Sequence, residues 1–204
     1  MSDVERIFSA FPETLHKEVE KVIEVLPWSN HQLLWRGQIQ AIDDLIHSEY
    51  IVVTLDNEPI YIPGRVYFNE PLHEQEHSLT DVQKSILNCI YLRHCDGFVR
   101  QKRLERLLND RNYFITPFLF CLLGEYVIEI LDVLDQHISP DTIHNYVRFI
   151  MENRTFWQKT ESRMTSYWNE YYRARYPKIS NYIGRKIATK LQIEVSKRFN
   201  TAQQ

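Results

Sequence analysis

The sequence contains little of what interrupts or covalently constrains a polypeptide chain. Among 204 residues there are only 5 glycines, 8 prolines and 3 cysteines. Because glycine and proline most often end regular segments, their scarcity predicts long helices. The cysteines are Cys89, Cys95 and Cys121, an odd number in a chain with no export signal, and we expect reduced thiols.

Segments that direct export or span a membrane are also missing from the sequence. The first residues have no basic start followed by an apolar run, as a signal peptide would. The most apolar stretch, Ile115 to Leu134, contains Glu125, Glu129 and Asp132, whereas a membrane span needs about 18 or more nearly uncharged residues. We therefore expect a soluble, cytoplasmic protein with no membrane partner, in which this stretch is a buried core helix.

Established catalytic signatures are absent as well. The sequence contains no G-x-S-x-G elbow, no P-loop and no G-x-G-x-x-G fingerprint. We therefore expect a non-enzymatic protein-interaction or adaptor module with no catalytic residues and no cofactor. The expected partner is another protein or a second copy of this chain, which would make a homo-oligomer.

The composition and the helix-capping motifs predict a mainly α fold. Hydrophobic residues make up 44% and charged residues 25%, as in ordinary globular proteins, and the length suits a single domain, 1–204. Helix starts are indicated by capping boxes or capped prolines at Ser29, Thr80, Thr116, Ser139 and Thr155. About eight helices are expected, at 13–26, 29–48, 80–94, 98–109, 117–137, 140–152, 155–175 and 179–199. The helix at 117–137 is apolar on nearly every side, which predicts a multi-helical domain packed around it.

One segment departs from the helical pattern. Tyr50–Thr54 is β-branched and aromatic, Asp56-Asn57 is a turn signal, and two further short apolar runs follow, at 59–63 and 65–68. This order predicts a small β-hairpin, or a short three-stranded patch, near residues 50–68.

The middle of the chain resembles a known repeat architecture. Between two predicted helices lies the turn Asp96-Gly97-Phe98-Val99-Arg100, and the pattern from Val82 to Leu134 is similar to a helix–turn–helix stack of the HEAT kind. The resemblance covers about a quarter of the chain and implies HEAT-like stacking with a scaffold surface.

One literal motif match concerns metal chemistry. His73-Glu74-Gln75-Glu76-His77 fits H-E-x-x-H, in which two histidines on one helix face bind Zn²⁺ and the glutamate polarises a bound water. Pro71 upstream and the cap signals downstream leave hardly two turns for a helix, and no third ligand is marked. We expect an exposed loop and no metal site, and keep a zinc-dependent hydrolase using His73, Glu74 and His77 as the second alternative.

Two other polar groups are candidates for chemistry. Glu125, Glu129 and Asp132 share one face of the predicted central helix, and we expect them to pair with arginines among 93, 100, 103 and 106. His94 and Cys95 are adjacent, but neighbours on a helix diverge in direction and do not form a catalytic dyad. We interpret Cys89 and Cys121 as packing thiols.

Charge is distributed unevenly along the chain. Residues 1–153 contain 13 Lys and Arg against 24 Asp and Glu, a balance of −11, whereas residues 154–204 contain 11 against 3, a balance of +8. Together the two balances give the formal net charge of −3 of the whole chain. The predicted domain therefore has an acidic N-terminal part, 1–153, and a basic, aromatic C-terminal helical part, 154–204.

The basic part predicts a surface for an anionic partner. Cations bind phosphates and flat rings stack on exposed bases, so nucleic-acid binding through these helices is the first alternative function. Two plainer interpretations stay open: the rings follow helical spacing and can face the core, and the cations can pair with the acidic part. The predicted nucleic-acid or acidic-partner surface consists of these cations: Arg154, Lys159, Arg163, Arg173, Arg175, Lys178, Arg185, Lys186 and Lys190.

Overall fold

The computed structural model of the chain describes residues 2–29, 33–35, 38–40 and 45–201, and for 33–35, 38–40 and 199–201 it describes the backbone alone. Over these residues the chain forms ten α-helices and two small two-stranded β-sheets. This confirms the expected mainly α fold with a small β-hairpin. None of the described helices has the length and apolar character needed to cross a bilayer.

The regular elements have the following bounds. The helices are α1 Asp3–Phe8, α2 His16–Val25, α3 His73–His77, α4 Asp81–Tyr91, α5 Gly97–Arg106, α6 Thr116–Leu123, α7 Ile128–His137, α8 Ile143–Glu152, α9 Arg154–Tyr167 and α10 Ile183–Thr201. The strands are β1 Leu33–Trp35, β2 Gln38–Gln40, β3 Tyr50–Leu55 and β4 Glu58–Pro63. Short 3-10 turns occur at Glu13–Leu15, Tyr113–Ile115 and Ile179–Asn181, and a π-helical turn at Trp168–Tyr172.

Contacts between residues divide the chain into two compact units. Unit 1 contains Met1–Val53 and Glu58–Arg103, and unit 2 contains Thr54–Asn57 and Leu104–Gln204. The change of charge after Asn153 falls inside unit 2, so it does not coincide with the boundary between the units. The single domain expected for 1–204 stays a prediction, and so does the HEAT-like stacking of Val82 to Leu134.

In unit 1, α2 packs against α4. Val19 and Val22 of α2 and Ile86 of α4 are completely buried. The predicted capping box at the start of α4 is confirmed, because the Thr80 hydroxyl accepts from the N–H of Gln83 at 3.3 Å and the Gln83 side chain accepts from the N–H of Thr80 at 2.9 Å. This reciprocal cap satisfies two N–H groups that the helix itself leaves free.

The predicted β-hairpin is also confirmed. β3 pairs with β4 through the two-residue turn Asp56-Asn57, whose φ angles are 55° and 67°. Positive φ at both positions matches the right-handed twist of the strands, and Asp and Asn are residues that tolerate it. The third strand suggested at 65–68 is reduced to isolated bridges from Val66 to Ile46 and His94.

The helix predicted at 29–48 is wrong over the described residues. Leu33–Trp35 pairs antiparallel with Gln38–Gln40 instead. The rest of the predicted capping box, residues 30–32, lies outside the described residues. Ser29 itself is engaged elsewhere, because its hydroxyl accepts a hydrogen bond from the Asn69 amide at 3.0 Å and its carbonyl oxygen accepts from the Asn69 N–H at 3.2 Å.

In unit 2, α6 lies at the centre as predicted, and every one of its side chains is buried. The Phe120 ring packs 4.9 Å from Phe149 and 5.5 Å from Trp157, measured between ring centroids. The predicted helix 117–137 is interrupted, however, because α6 ends at Leu123 and α7 begins at Ile128. A Cβ atom at Gly124 would lie 3.3 Å from the Arg163 side chain, so this close approach favours glycine, which is a poor helix former.

Two observed helix starts differ from the predicted ones by one to three residues. α9 begins at Arg154, and the Asn153 side chain that precedes it makes no cap because it accepts from the Thr54 N–H at 2.7 Å and donates to the Thr54 carbonyl at 2.8 Å. α8 begins at Ile143, after Pro140, because the Thr142 hydroxyl donates back to the carbonyl oxygen of His137.

Candidate functional site

The predicted basic surface lies in unit 2, on α9, on the segment 173–178 that follows the π-helical turn, and on α10. Arg185 and Lys190 are half-buried, and the other predicted cations are exposed: Arg154, Lys159, Arg163, Arg173, Arg175, Lys178 and Lys186. Exposure of this kind leaves their charges accessible to a partner.

Internal pairing accounts for a small part of this positive charge. Arg185 lies 3.6 Å from the Glu161 carboxylate, and Lys190 lies 3.5 Å from that of Asp135. Within the described part of the chain, these exposed cations have no salt-bridge partner: Lys159, Arg163, Arg173, Arg175, Lys178 and Lys186. The alternative in which the acidic part neutralises the basic part therefore applies to Lys190 and not to these cations.

The π-helical turn Trp168–Tyr172 determines how the aromatic side chains are presented. The indole N–H of Trp168 donates to the Tyr176 carbonyl at 2.9 Å, and the Tyr176 N–H donates to the Tyr172 carbonyl at 2.8 Å. A π turn takes about one residue more than an α turn, because its hydrogen bonds join residues five apart. Tyr167 and Tyr171, four residues apart, therefore lie on one face, with ring centroids separated by 6.0 Å.

Tyr126 completes a cluster of three rings. It comes from the turn between α6 and α7, and its ring centroid lies 5.9 Å from that of Tyr167 and 5.6 Å from that of Tyr171. Tyr126 is 52% exposed and Tyr171 is 59% exposed. We call Tyr126, Tyr167 and Tyr171 the tyrosine cluster; two of its rings present most of their surface to solvent.

A second set of rings supports the cluster from within unit 2. The Tyr172 ring stacks on the buried Tyr182 ring with centroids 5.4 Å apart, and Tyr176 lies 6.2 Å from Tyr182. The Tyr172 hydroxyl donates to the backbone carbonyl oxygen of Tyr126. Burial raises the pKa of Tyr172 and of Tyr182, so both hydroxyls stay protonated and uncharged at neutral pH.

Arginines flank these rings. The Arg173 guanidinium lies 5.9 Å from the Trp168 ring and donates to the Asn169 side chain at 3.1 Å, while that of Arg175 lies 5.3 Å from the Tyr176 ring. Cation–π contact holds a guanidinium flat against a ring and leaves its other N–H groups available to an anion.

A pocket of about 340 Å³ lies at the start of α10, and Arg185 and Lys186 are among its lining residues. Its other lining residues are Ile179, Ser180 and Thr189. The pocket therefore adds hydroxyl groups and cations to the same basic surface.

The expectation that the aromatic residues of this region face the core holds for some of them. Trp157 and Met164 are buried, Tyr167, Trp168 and Tyr172 are half-buried, and Tyr171 is exposed. Residues at this helical spacing therefore include both buried core side chains and side chains exposed at the surface.

The H-E-x-x-H match forms α3, a short helix in place of the expected loop. His73, Glu74 and His77 are exposed, and the two imidazole centroids lie 4.8 Å apart. Glu76 lies 2.8 Å from Arg103, which pairs with it. Over residues 2–29, 33–35, 38–40 and 45–201, no group of three or more His, Cys, Asp and Glu is placed to hold a metal ion.

The three carboxylates of the predicted central helix do not form a cluster. Glu125 lies in the turn between α6 and α7 and is 5% exposed, whereas Glu129 and Asp132 are exposed on α7. The expectation of three buried carboxylates on one helix face is therefore wrong: Glu129 and Asp132 lie three residues apart on α7 but are exposed, and the interruption of the helix separates Glu125 from them.

Three of the four arginines named as their partners, Arg93, Arg100 and Arg103, have other contacts in unit 1. Arg103 lies 2.7 Å from Glu70 and 2.8 Å from Glu76. Arg93 donates to the carbonyl oxygens of residues 63 and 64, and Arg100 donates to those of residues 94 and 95. These contacts stabilise the turn after α4.

His94 is held in the protein interior by hydrogen bonds from both of its ring nitrogens. It is completely buried, its Nε2 lies 3.1 Å from the Phe68 carbonyl oxygen, and its Nδ1 accepts from the Asp96 N–H at 3.0 Å. Burial raises the pKa of the neighbouring Cys95 thiol, which favours the unreactive protonated form. The Cys95 Sγ lies 3.9 Å from the His94 Nδ1, and the interpretation that these two residues form no catalytic dyad stays a prediction. Cys89 and Cys121 are both buried.

Tyr126 is the residue of the site that the sequence analysis missed. It is distant along the chain from the basic part, and its sequence neighbourhood suggests a continuous apolar helix. The only local signal was Gly124, which precedes the exposed ring in the interrupted helix. Comparison with known protein families, with characterised proteins and with solved structures found no match to this chain.

Proposed function

We propose that this protein is a non-enzymatic interaction module that binds an anionic partner through the basic surface of unit 2. The observation that carries the proposal is the group of exposed cations on α9, on the segment 173–178 and on α10 that lack a salt-bridge partner among the described residues. Unpaired charges of one sign create a field that attracts an oppositely charged partner and accelerates its association.

The side chains suited to catalysis support a non-enzymatic role. The ring nitrogens of His94 and His137 are occupied by backbone and tyrosine hydrogen bonds inside the protein. The Cys95 thiol has a raised pKa because it is half-buried. Groups held in this way stabilise the fold and do not converge on a reacting atom.

Nucleic acid is the second candidate partner, and the tyrosine cluster favours it. Tyr126 and Tyr171 are exposed aromatic rings in the unit that also carries the unpaired arginines. Proteins that bind single strands combine a positively charged track with rings on which bases stack. An acidic protein, including a second copy of this chain, would use the same cations and would need no exposed ring face.

The proposal is tested by binding measurements with two anionic probes. Fluorescence anisotropy at about 50 mM salt would measure the affinity for a labelled polyglutamate peptide and for a labelled 12-nucleotide oligo-dT, and light scattering would measure self-association. We expect binding to at least one probe, or a concentration-dependent dimer, that weakens as salt is raised.

Charge-reversal variants identify the surface. The triple variant R173E/R175E/K178E should lose at least tenfold in affinity, because each reversal replaces an attraction by a repulsion. The matched control is K17E/K21E/R111E, which changes the net charge equally at exposed positions outside this surface. Equal losses in the two triple variants, or no binding by the wild type, would refute the proposal.

A further inference from the structure

We infer that the tyrosine cluster makes this surface selective for unpaired nucleotides, so that it binds single-stranded nucleic acid in preference to duplex. This inference rests on the proposed anionic-partner function and specifies its partner. It follows from the exposure of the rings, their alignment with the arginines and the fixed position of Tyr126.

Exposure makes the rings available for stacking. Tyr126 and Tyr171 are more than half exposed, and their planes are tilted by 38° with centroids 5.6 Å apart. A base can stack on an aromatic side chain when one of its own faces is free, as in a single strand. In a duplex the neighbouring base pairs cover both faces, so these rings contribute to strand binding and the cations alone contribute to duplex binding.

Cations lie at both ends of the cluster. Arg163, Tyr167 and Tyr171 are four residues apart on α9 and the π turn, and Arg175 follows Tyr171 by four residues in the turn beyond. On an α-helix of about 3.6 residues per turn such a row drifts around the axis, and the wider π turn at Trp168–Tyr172 reduces that drift. At about 1.5 Å per residue the row is roughly 18 Å long, which is space for about five nucleotides at about 3.4 Å each.

The cluster is organised before any ligand binds. The Tyr172 hydroxyl holds the Tyr126 backbone, and the Tyr172 ring stacks on buried Tyr182. The Arg163 side chain passes close to Gly124, where an added Cβ atom would lie 3.3 Å from it. A surface ordered in this way loses less conformational entropy on binding than a flexible one does.

The experiment compares one sequence in two forms. Anisotropy titrations at about 50 mM salt would use fluorescein-labelled oligo-dT of 12 nucleotides, alone and paired with oligo-dA. We expect the single strand to bind at least tenfold more tightly than the duplex. Quenching of tyrosine fluorescence by the single strand, and weaker quenching by the duplex, would report stacking directly.

Three variants separate stacking from charge. Y126L/Y171L removes two rings and should lower single-strand affinity by at least about fivefold, the smallest usual effect of removing one stacking ring, and change duplex affinity by less than twofold. Y126F/Y171F keeps both rings and should bind like the wild type. R173E/R175E/K178E should weaken the binding of both single strand and duplex. It should also reduce the dependence of affinity on salt, because phosphate contacts are lost.

The outcomes distinguish this inference from the function on which it rests. Equal affinity for single strand and duplex, or unchanged single-strand binding by a folded Y126L/Y171L, would overturn the inference and leave the basic surface intact. Binding of polyglutamate without binding of either nucleic acid would assign an acidic protein as the partner and also overturn it. If no probe binds and no dimer forms, the proposed function fails as well. Unchanged duplex affinity of Y126L/Y171L guards against a loss caused by misfolding, and retained binding by Y126F/Y171F assigns the effect to the rings and not to the hydroxyls.

Discussion

The hydroxyl of Tyr172 donates a hydrogen bond to the backbone carbonyl oxygen of Tyr126, and this contact joins the π turn after α9 to the turn between α6 and α7. This carbonyl group lies where the central helix is interrupted, so it lacks the backbone N–H donor that a continuous helix would provide. One side-chain hydroxyl therefore satisfies the interrupted backbone and places the Tyr126 ring against Tyr171.

Replacing Tyr172 with phenylalanine tests this contact. Y172F removes the hydroxyl and keeps the ring that stacks on Tyr182, so we expect a loss of about 0.5–1.5 kcal/mol in the free energy of unfolding. Urea denaturation measures the loss. Y171F is the matched control, because the Tyr171 hydroxyl has no hydrogen-bond partner among the residues that the structure describes, and it should unfold like the wild type. A larger effect for Y171F than for Y172F would contradict the assignment.

Asn153 is a second residue whose side-chain hydrogen bonds are expected to contribute strongly to the free energy of unfolding. Its Nδ2 donates to the Thr54 carbonyl at 2.8 Å and to the Phe149 carbonyl at 3.1 Å, while its Oδ1 accepts from the Thr54 N–H. N153D would place a buried carboxylate oxygen against two carbonyl oxygens, and we expect a loss of about 3 kcal/mol or more at pH 7. The loss should shrink at pH 4, where the new carboxyl group can protonate and donate.

The control for this substitution is Q158E, the same amide-to-acid change on the exposed face of α9. Thermal melts of both variants at pH 7 and pH 4 give the comparison. If N153D and Q158E melt alike at pH 7, the three hydrogen bonds of Asn153 contribute little and the prediction is wrong.

Arg103 holds a buried ion network in unit 1. Its side chain is 1% exposed, it pairs with Glu70 and Glu76, and it lies 4.7 Å from the Tyr91 ring. R103M should cost about 3–5 kcal/mol, because it leaves two partly buried carboxylates without their cation. R111M, which removes the exposed pair with Asp141, should cost less than about 1 kcal/mol. Guanidinium denaturation would measure both, and equal costs would show that burial does not strengthen the Arg103 network.

The same network predicts sensitivity to acid. Burial tends to raise the pKa of Glu70, but the Arg103 guanidinium outweighs this, and the net pKa lies below its ordinary value of 4.5. A carboxylate with a lowered folded-state pKa stabilises the protein above its unfolded-state value, and this stability is lost as pH falls through the folded-state pKa. Between pH 5 and pH 3, R103M should therefore lose less stability than the wild type.

His137 predicts a dependence of stability on pH nearer neutrality. Its Nδ1 lies 2.8 Å from the Tyr146 hydroxyl and its Nε2 lies 2.9 Å from the Asp110 carbonyl oxygen. Burial lowers the pKa of His137 below its ordinary value of 6.5, although the bond to the Asp110 carbonyl opposes this. The unfolded state then binds the proton more tightly, so stability is present above pH 6.5 and falls as pH is lowered from there towards the folded-state pKa.

Replacement of His137 by glutamine isolates this effect. H137Q can still donate towards the Asp110 carbonyl, but it cannot take up a proton, and at pH 8 we expect it to be less stable by about 1–3 kcal/mol. Urea titrations from pH 8 to pH 5 should show this difference shrinking as the wild type loses stability. A difference that stays constant over the whole range would exclude His137 as the titrating group.

The sequence by itself determined the features that depend on neighbouring residues. The capping box at Thr80 involves residues three apart, and the turn at Asp56-Asn57 requires two residues that tolerate positive φ, so both could be recognised without the fold. The mainly α class and the burial of α6 follow from apolar periodicity and from the scarcity of glycine and proline. The concentration of cations after Asn153 is also a property of the chain alone.

Tertiary structure determined the local conformation at positions where contacts with residues distant in sequence outweigh local preference. Ser29 has a capping pattern, yet its hydroxyl accepts from Asn69, and the chain beyond it forms β1 and β2. The central helix breaks at Gly124, where the Arg163 side chain approaches the backbone. Tyr126 lies in this break with its ring exposed beside that of Tyr171, and the Tyr172 hydroxyl, far away in sequence, donates to its backbone carbonyl. The distribution of charge along the chain was enough to locate the basic part. Periodicity and capping report contacts within a few residues, so they could not predict the tyrosine cluster.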